Sequence, residues 1–97
     1  MKIILIQHLV YISRKETKVK CYTINFHSNI KPCIGDLIEL PTFNGRTQVS
    51  KVKQVHLKFN QNMCQVFLED IITNVLSDMN DYSYVVINEG WDEESLQ

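Results

Sequence analysis

Leu37-Ile38-Glu39-Leu40-Pro41-Thr42-Phe43-Asn44-Gly45-Arg46-Thr47-Gln48-Val49-Ser50-Lys51-Val52 reads as two strands folded about a tight turn. Asn44 and Gly45 both tolerate positive φ, which a two-residue hairpin turn demands. Placing that turn at the tip sets Phe43 opposite Arg46, Thr42 opposite Thr47 and Leu40 opposite Val49. Continued further, the same register would put Ile38 opposite Lys51 and a charge on the apolar face. A bulge near Ser50-Lys51 removes the conflict by bringing Val52 into phase. The alternation shifts again before Val55, Leu57 and Phe59, so a second bend is expected. Pro41 marks the first strand as an edge, because proline cannot donate to a ladder. A helix through Val49, Val52, Val55 and Phe59 competes, but the β-branched content and the adjoining turn favour the strand.

Outward from this hairpin the chain stays β-rich. Residues 3–12 are apolar on both alternating faces, the pattern of a central strand covered on both sides. Residues 14–18 form a polar connection of hairpin length. Residues 19–27 alternate, with Tyr22, Ile24 and Phe26 on one side and Val19, Cys21, Thr23 and Asn25 on the other. Asn60-Gln61-Asn62 is a turn, and residues 63–68 form a further strand. Asp70 is placed to cap a helix near residues 70–80, whose Ile71, Ile72, Val75, Leu76 and Met79 share a face. Residues 82–87 read as a sixth strand. The expected fold is mainly β with one short α: a small five- to six-stranded antiparallel barrel, or a strongly bent sheet, over residues 1–88. Residues 89–97 form an acidic tail with the single tryptophan, Trp91.

The segment Lys31-Pro32-Cys33-Ile34-Gly35-Asp36-Leu37-Ile38-Glu39-Leu40, with the hairpin and bent strand after it, resembles the small SH3-like barrels of bacteria and phages. Its Pro32-x-x-Gly35-Asp36 turn leads into a strand as theirs does. The likeness covers residues 31–68 and implies a fold type; it carries no activity. Compactness, bipolar charge and the lack of catalytic groups separately suit an accessory or inhibitory protein of bacterial or phage type.

At 97 residues, with 44% hydrophobic and 22% charged residues, the chain suits one small globular domain. Residues 1–12 do not read as a targeting segment. Gln7 and His8 interrupt the apolar run, which is also too short for a bilayer span. Cys21, Cys33 and Cys64 are odd in number and widely spaced, so reduced thiols in the cytoplasm are expected. Net charge is −1, but its distribution is uneven. Residues 1–58 hold ten bases against three acids, and residues 59–97 hold eight acids and no base. Either the two regions neutralise each other within one molecule, or they offer a bipolar surface to partners.

Catalytic and metal chemistry find little purchase. The histidines and cysteines lack the close pairs of a structural zinc site. Cys33, the one loop thiol, has Lys31 near it but no orienting third group. Asp36 reads as a turn residue bonding local backbone, and the three glycines form no phosphate loop. No cofactor, enzyme activity or membrane association is expected. Two binding readings remain. The first is a protein-binding module in which Trp91 anchors the partner and Asp92, Glu93 and Glu94 steer it to a basic surface; Trp91 reads equally well as a cover over the open end of the barrel. Removing everything after Asn88 should then abolish binding and spare the fold. The alternative is a nucleic-acid face along Arg46, Lys51, Lys53 and Lys58, with Phe43 stacking on a base and the acidic tail competing for that face. Self-association through the 37–41 edge is a further expectation.

Overall fold

A computed structural model describes residues 1–43 and 46–94, with backbone alone at 41–43 and 46. Among the described residues seven strands and one α-helix follow in chain order. They are β1 (Lys2–Ile12), β2 (Thr17–His27), β3 (Leu37–Phe43), β4 (Arg46–Lys58), β5 (Met63–Leu68), β6 (Ile71–Thr73), α1 (Leu76–Asn88) and β7 (Asp92–Glu94). A 3-10 turn, Phe59–Gln61, joins β4 to β5. The sheet runs β3-β4-β5-β1-β2-β7, and β6 continues alongside β1 beyond the end of β5.

The mainly β reading holds, as a bent sheet that does not close into a barrel. It is not antiparallel throughout either, since β1 pairs in parallel with β5 (Leu5 opposite Val66) and with β6 (Leu9 opposite Ile71). After the β3–β4–β5 meander the chain lies against the open edge of β1, so β1 becomes interior without a returning barrel strand. Its apolar character on both faces suits that interior position.

Hairpin pairing agrees with the sequence at Phe43–Arg46 and Thr42–Thr47; the Asn44-Gly45 turn itself lies outside the described residues. Beyond Thr42 the register differs from expectation. The irregularity sits between Leu40 and Thr42, so Leu40 faces Gln48 and Ile38 faces Ser50. Pro41, with no N–H to give, is the residue left out of the ladder, and no bulge is needed at Ser50-Lys51. The second expected bend is present: Val52 pairs Leu68 and Gln54 pairs Phe67, leaving Lys53 as the extra residue.

The helix lies at 76–88 instead of 70–80, and residues 82–87 belong to it. Residues 71–73 are strand because β1 outruns β5, leaving Leu9–Tyr11 with unpaired backbone that Ile71, Ile72 and Thr73 satisfy. Asp70 caps nothing; it stands 3.3 Å from Lys53 Nζ and 3.9 Å from His8 Nδ1. Met79, Tyr82, Ser83 and Val86 recur at i, i+3, i+4 and i+7 and are the buried stripe of α1. The helix stops at Gly90, whose φ of 94° a side chain would resist. Gly90 N–H donates to the Ile87 carbonyl (3.2 Å) and Trp91 N–H to that of Val86 (3.0 Å), the paired bonds of a Schellman ending.

Those bonds aim Trp91 back at the sheet. Its ring joins Ile3, Leu5, Leu9, Tyr22, Leu40, Val52, Cys64, Val66, Leu68, Met79, Tyr82 and Val86 in one core. The next three residues pair with β2, setting Asp92, Glu93 and Glu94 opposite Thr23, Tyr22 and Cys21. The expected tail is, through Glu94, a sheet edge.

Candidate interaction surface

Strand pairing divides the side chains between two faces. Ile3, Leu5 and Leu9 of β1 share a face with Cys64 and Val66 of β5, Val52 and Val55 of β4, and Tyr22 and Ile24 of β2. Helix α1 covers this first face. Tyr22 hydroxyl bonds Ser83 Oγ, which in turn donates to the Met79 carbonyl at 2.8 Å. Burial raises the Tyr22 phenol and pushes that of Tyr82 up to about 12.

The opposite face carries Ile4, Ile6, His8, Val10 and Ile12 of β1. Beside them stand Thr23, Cys21 and Val19 of β2, Gln65 and Phe67 of β5, and Ile72 of β6. The one α-helix among the described residues lies on the other side, so the expectation of β1 covered on both faces is half met. Ile6 and Cys21 are shielded by their neighbours in the sheet. Ile12, Val19 and Ile72 are 45%, 42% and 64% exposed. Together with half-buried Val10, which pairs with both Val19 and Ile72, they make a contiguous apolar patch. Across the sheet the His56 and Phe67 rings meet in a T-shaped contact, centroids 5.0 Å apart. Gln54 Nε2 lies 2.6 Å from His56 Nε2.

On the next rows of the same face, toward the start of β1, charges of opposite sign flank Ile6, Phe67 and His8. Lys51, Lys53 and Lys58 are exposed on the β4 side of the open face. The side chains of Phe43 and Arg46, proposed with them from sequence, lie outside the described residues. At the far edge, Asp92 and Glu94 share the open face because they pair with Thr23 and Cys21. Thr23 Oγ1 donates to Glu94 Oε1 at 2.9 Å. Glu93 turns to the helix side, 3.9 Å from Lys20 Nζ and 3.5 Å from the Tyr22 hydroxyl.

The two charged regions therefore meet in part, through Lys20–Glu93 and Lys53–Asp70. Among the described residues Lys51, Lys58, Asp92 and Glu94 make no ion pair. Three strands separate β7 from β4, so β7 does not cover the lysines as a competing tail would. Trp91, 7% exposed, is core and presents no free ring to a partner. The sequence leaves anchor and cover open, and the signal that decides between them is Gly90 directly before Trp91: a helix ending there returns the next residue to the core.

Other chemistry is sparse. Asp36 is the expected turn residue, its Oδ2 accepting from Cys33 N–H at 2.8 Å. A groove of about 280 Å³ lies between residues 31–34 and the pair Val55 and Leu57. Burial raises the thiols of Cys21 and Cys64, with Glu94 adding to the effect at Cys21. Cys33 is exposed, its Sγ 3.8 Å from the Lys31 carbonyl. Among the described residues no three of His, Cys, Asp and Glu converge as a metal site requires, and no helix is long and apolar enough to cross a membrane. Comparison with protein-family models, curated proteins and solved structures gave no match.

Proposed function

We propose that this chain is a non-enzymatic interaction module that binds another protein chain through the open face of its sheet. One observation carries the reading: an apolar face without a covering helix, bordered by lysines on one side and carboxylates on the other. An apolar centre with a charged rim is the anatomy of a protein interface. A nucleic-acid groove would be basic throughout, whereas here Asp70, Asp92 and Glu94 share the face with the lysines. An accessory or inhibitory role fits so small a binder. This reading replaces the Trp91 anchor with Val10, Val19 and Ile72, and keeps Asp92 and Glu94 as steering charges.

The test is affinity capture from native host extract, with and without nuclease, using the natural chain and a Val19→Lys/Ile72→Lys variant. Both positions are exposed enough for the fold to tolerate lysine. Protein captured by the natural chain and lost by the variant is the expected result. Capture that nuclease abolishes would point to the nucleic-acid face of Lys51, Lys53 and Lys58 instead.

A further inference from the structure

We infer that the protein seated on the open face is a second copy of this chain, packed face to face about a two-fold axis parallel to the strands; this rests on the binding role proposed above. The warrant is the level at which the charges stand. Ladder pairing places Lys53-Gln54, Phe67, Ile6, Thr23 and Asp92 in one row across the sheet. The next row contains His8, Cys21 and Glu94. Lys51 joins it at the β4 side through the bond from Glu69 N–H to the Lys51 carbonyl.

A two-fold along the strands, passing near β1, exchanges left and right while keeping each residue at its own level. It sets β4 of one copy over β7 of the other, bringing Lys51 to Glu94 and Lys53 to Asp92 twice over. Lys53 would then be shared between Asp92 of the other copy and its own Asp70. The same rotation lays Ile4, Ile6 and Val10 against their equivalents, Phe67 against Thr23, and Ile72 against Val19. A two-fold lying in the sheet plane across the strands sets β4 on β4, lysine against lysine. A two-fold normal to the sheet brings no faces together. The pattern is thus self-complementary under a single closed operation, as an isologous dimer requires.

The area suffices. Strands about 4.8 Å apart and residues rising about 3.3 Å give the β4-to-β7 face a plane of about 20 by 25 Å. That is roughly 1,000 Å² over two copies, where specific interfaces begin. Sheets stacked about 10 Å apart are an ordinary sandwich spacing.

The experiment is molar mass by light scattering and sedimentation across a concentration series, with the full chain. The natural protein is expected at twice the 11.4 kDa of one chain. Lys51→Glu/Lys53→Glu and Asp92→Lys/Glu94→Lys should each raise the dimer dissociation constant about tenfold or more, while their equimolar mixture restores a dimer. Lys31→Glu, in the loop on the other face, should change nothing, and circular dichroism with thermal melts checks that every variant folds. A natural chain that stays monomeric, or opposite-charge variants that fail to pair on mixing, overturns the second-copy inference. If Val19→Lys/Ile72→Lys nevertheless loses a captured protein, the open-face reading survives that failure. A dimer untouched by Val19→Lys/Ile72→Lys overturns the face-to-face arrangement.

Discussion

Replacing Trp91 with alanine tests whether the last described turn and strand belong to the fold. The ring is 7% exposed within the core, and the Schellman bond from its N–H fixes its approach. Removing a buried aromatic of this size leaves a cavity that the stiff sheet beneath cannot fill, at a cost of about 3–5 kcal/mol. For a chain this long, each kcal/mol lowers the melting temperature by about 4–8 °C, so a drop of roughly 12–40 °C is expected. Small domains have only about 5–15 kcal/mol in all, so the variant should fold marginally. Trp91→Phe should cost less than half as much, since it keeps an aromatic ring in the same space. Because Trp91 is the single tryptophan, far-ultraviolet circular dichroism in urea is the suitable probe. A loss below about 1 kcal/mol would place Trp91 on the surface and refute the reasoning. Truncation after Asn88 should destabilise at least as much as Trp91→Ala, because it removes β7 as well.

Further expectations concern the helix side and the loop. With the Tyr82 phenol raised to about 12 by burial, and that of Tyr22 raised in the same direction, the native state holds protons that the unfolded chain releases above about pH 10. Their contribution is present in full below that pH and is lost as pH climbs through the native values. Urea midpoints should therefore fall as pH rises from about 10 to about 12, and Tyr82→Phe should flatten that fall. Asp36→Ala removes the acceptor of the Cys33 N–H and should cost about 1 kcal/mol, read as a lower thermal midpoint. No change would mean that water serves that N–H equally well.

Local chemistry in the sequence revealed strands and bends; what it could not show was which strands would meet. Val52, Val55 and their neighbours marked the bend at Lys53, because alternation records a bulge directly. Pro41 signals an edge, and it also absorbs the register shift that alternation alone places at Ser50-Lys51. Ile71 and Ile72 suited a helix face equally well. Only the unpaired length of β1 makes them strand, and that length depends on where β5 ends. Residues 82–87 misled through β propensity, although Met79, Tyr82, Ser83 and Val86 already carried the helical period.

The same limit applied to the candidate surface. Its lysines and acids were visible as two runs of charge. Their placement on one face followed from the pairing of β7 with β2 and from the parallel join of β1 to β5. Trp91 drew attention as a large aromatic among acids, whereas Gly90 redirects it inward. The apolar second face was present in Ile4, Ile6 and Val10 from the start, but it could be read as open only once the helix was found on the opposite side.

The most direct measurement of the central claim is site-specific photo-crosslinking from each side of the sheet. A photoreactive residue at Gln65 sits on the open face, paired with Ile4 and His56. One at Tyr84, 72% exposed on the outer side of α1, samples the covered side. Protein adducts from position 65 and none from position 84 are the predicted result. Adducts from position 84 with none from position 65 would contradict the assignment of the open face as the working surface.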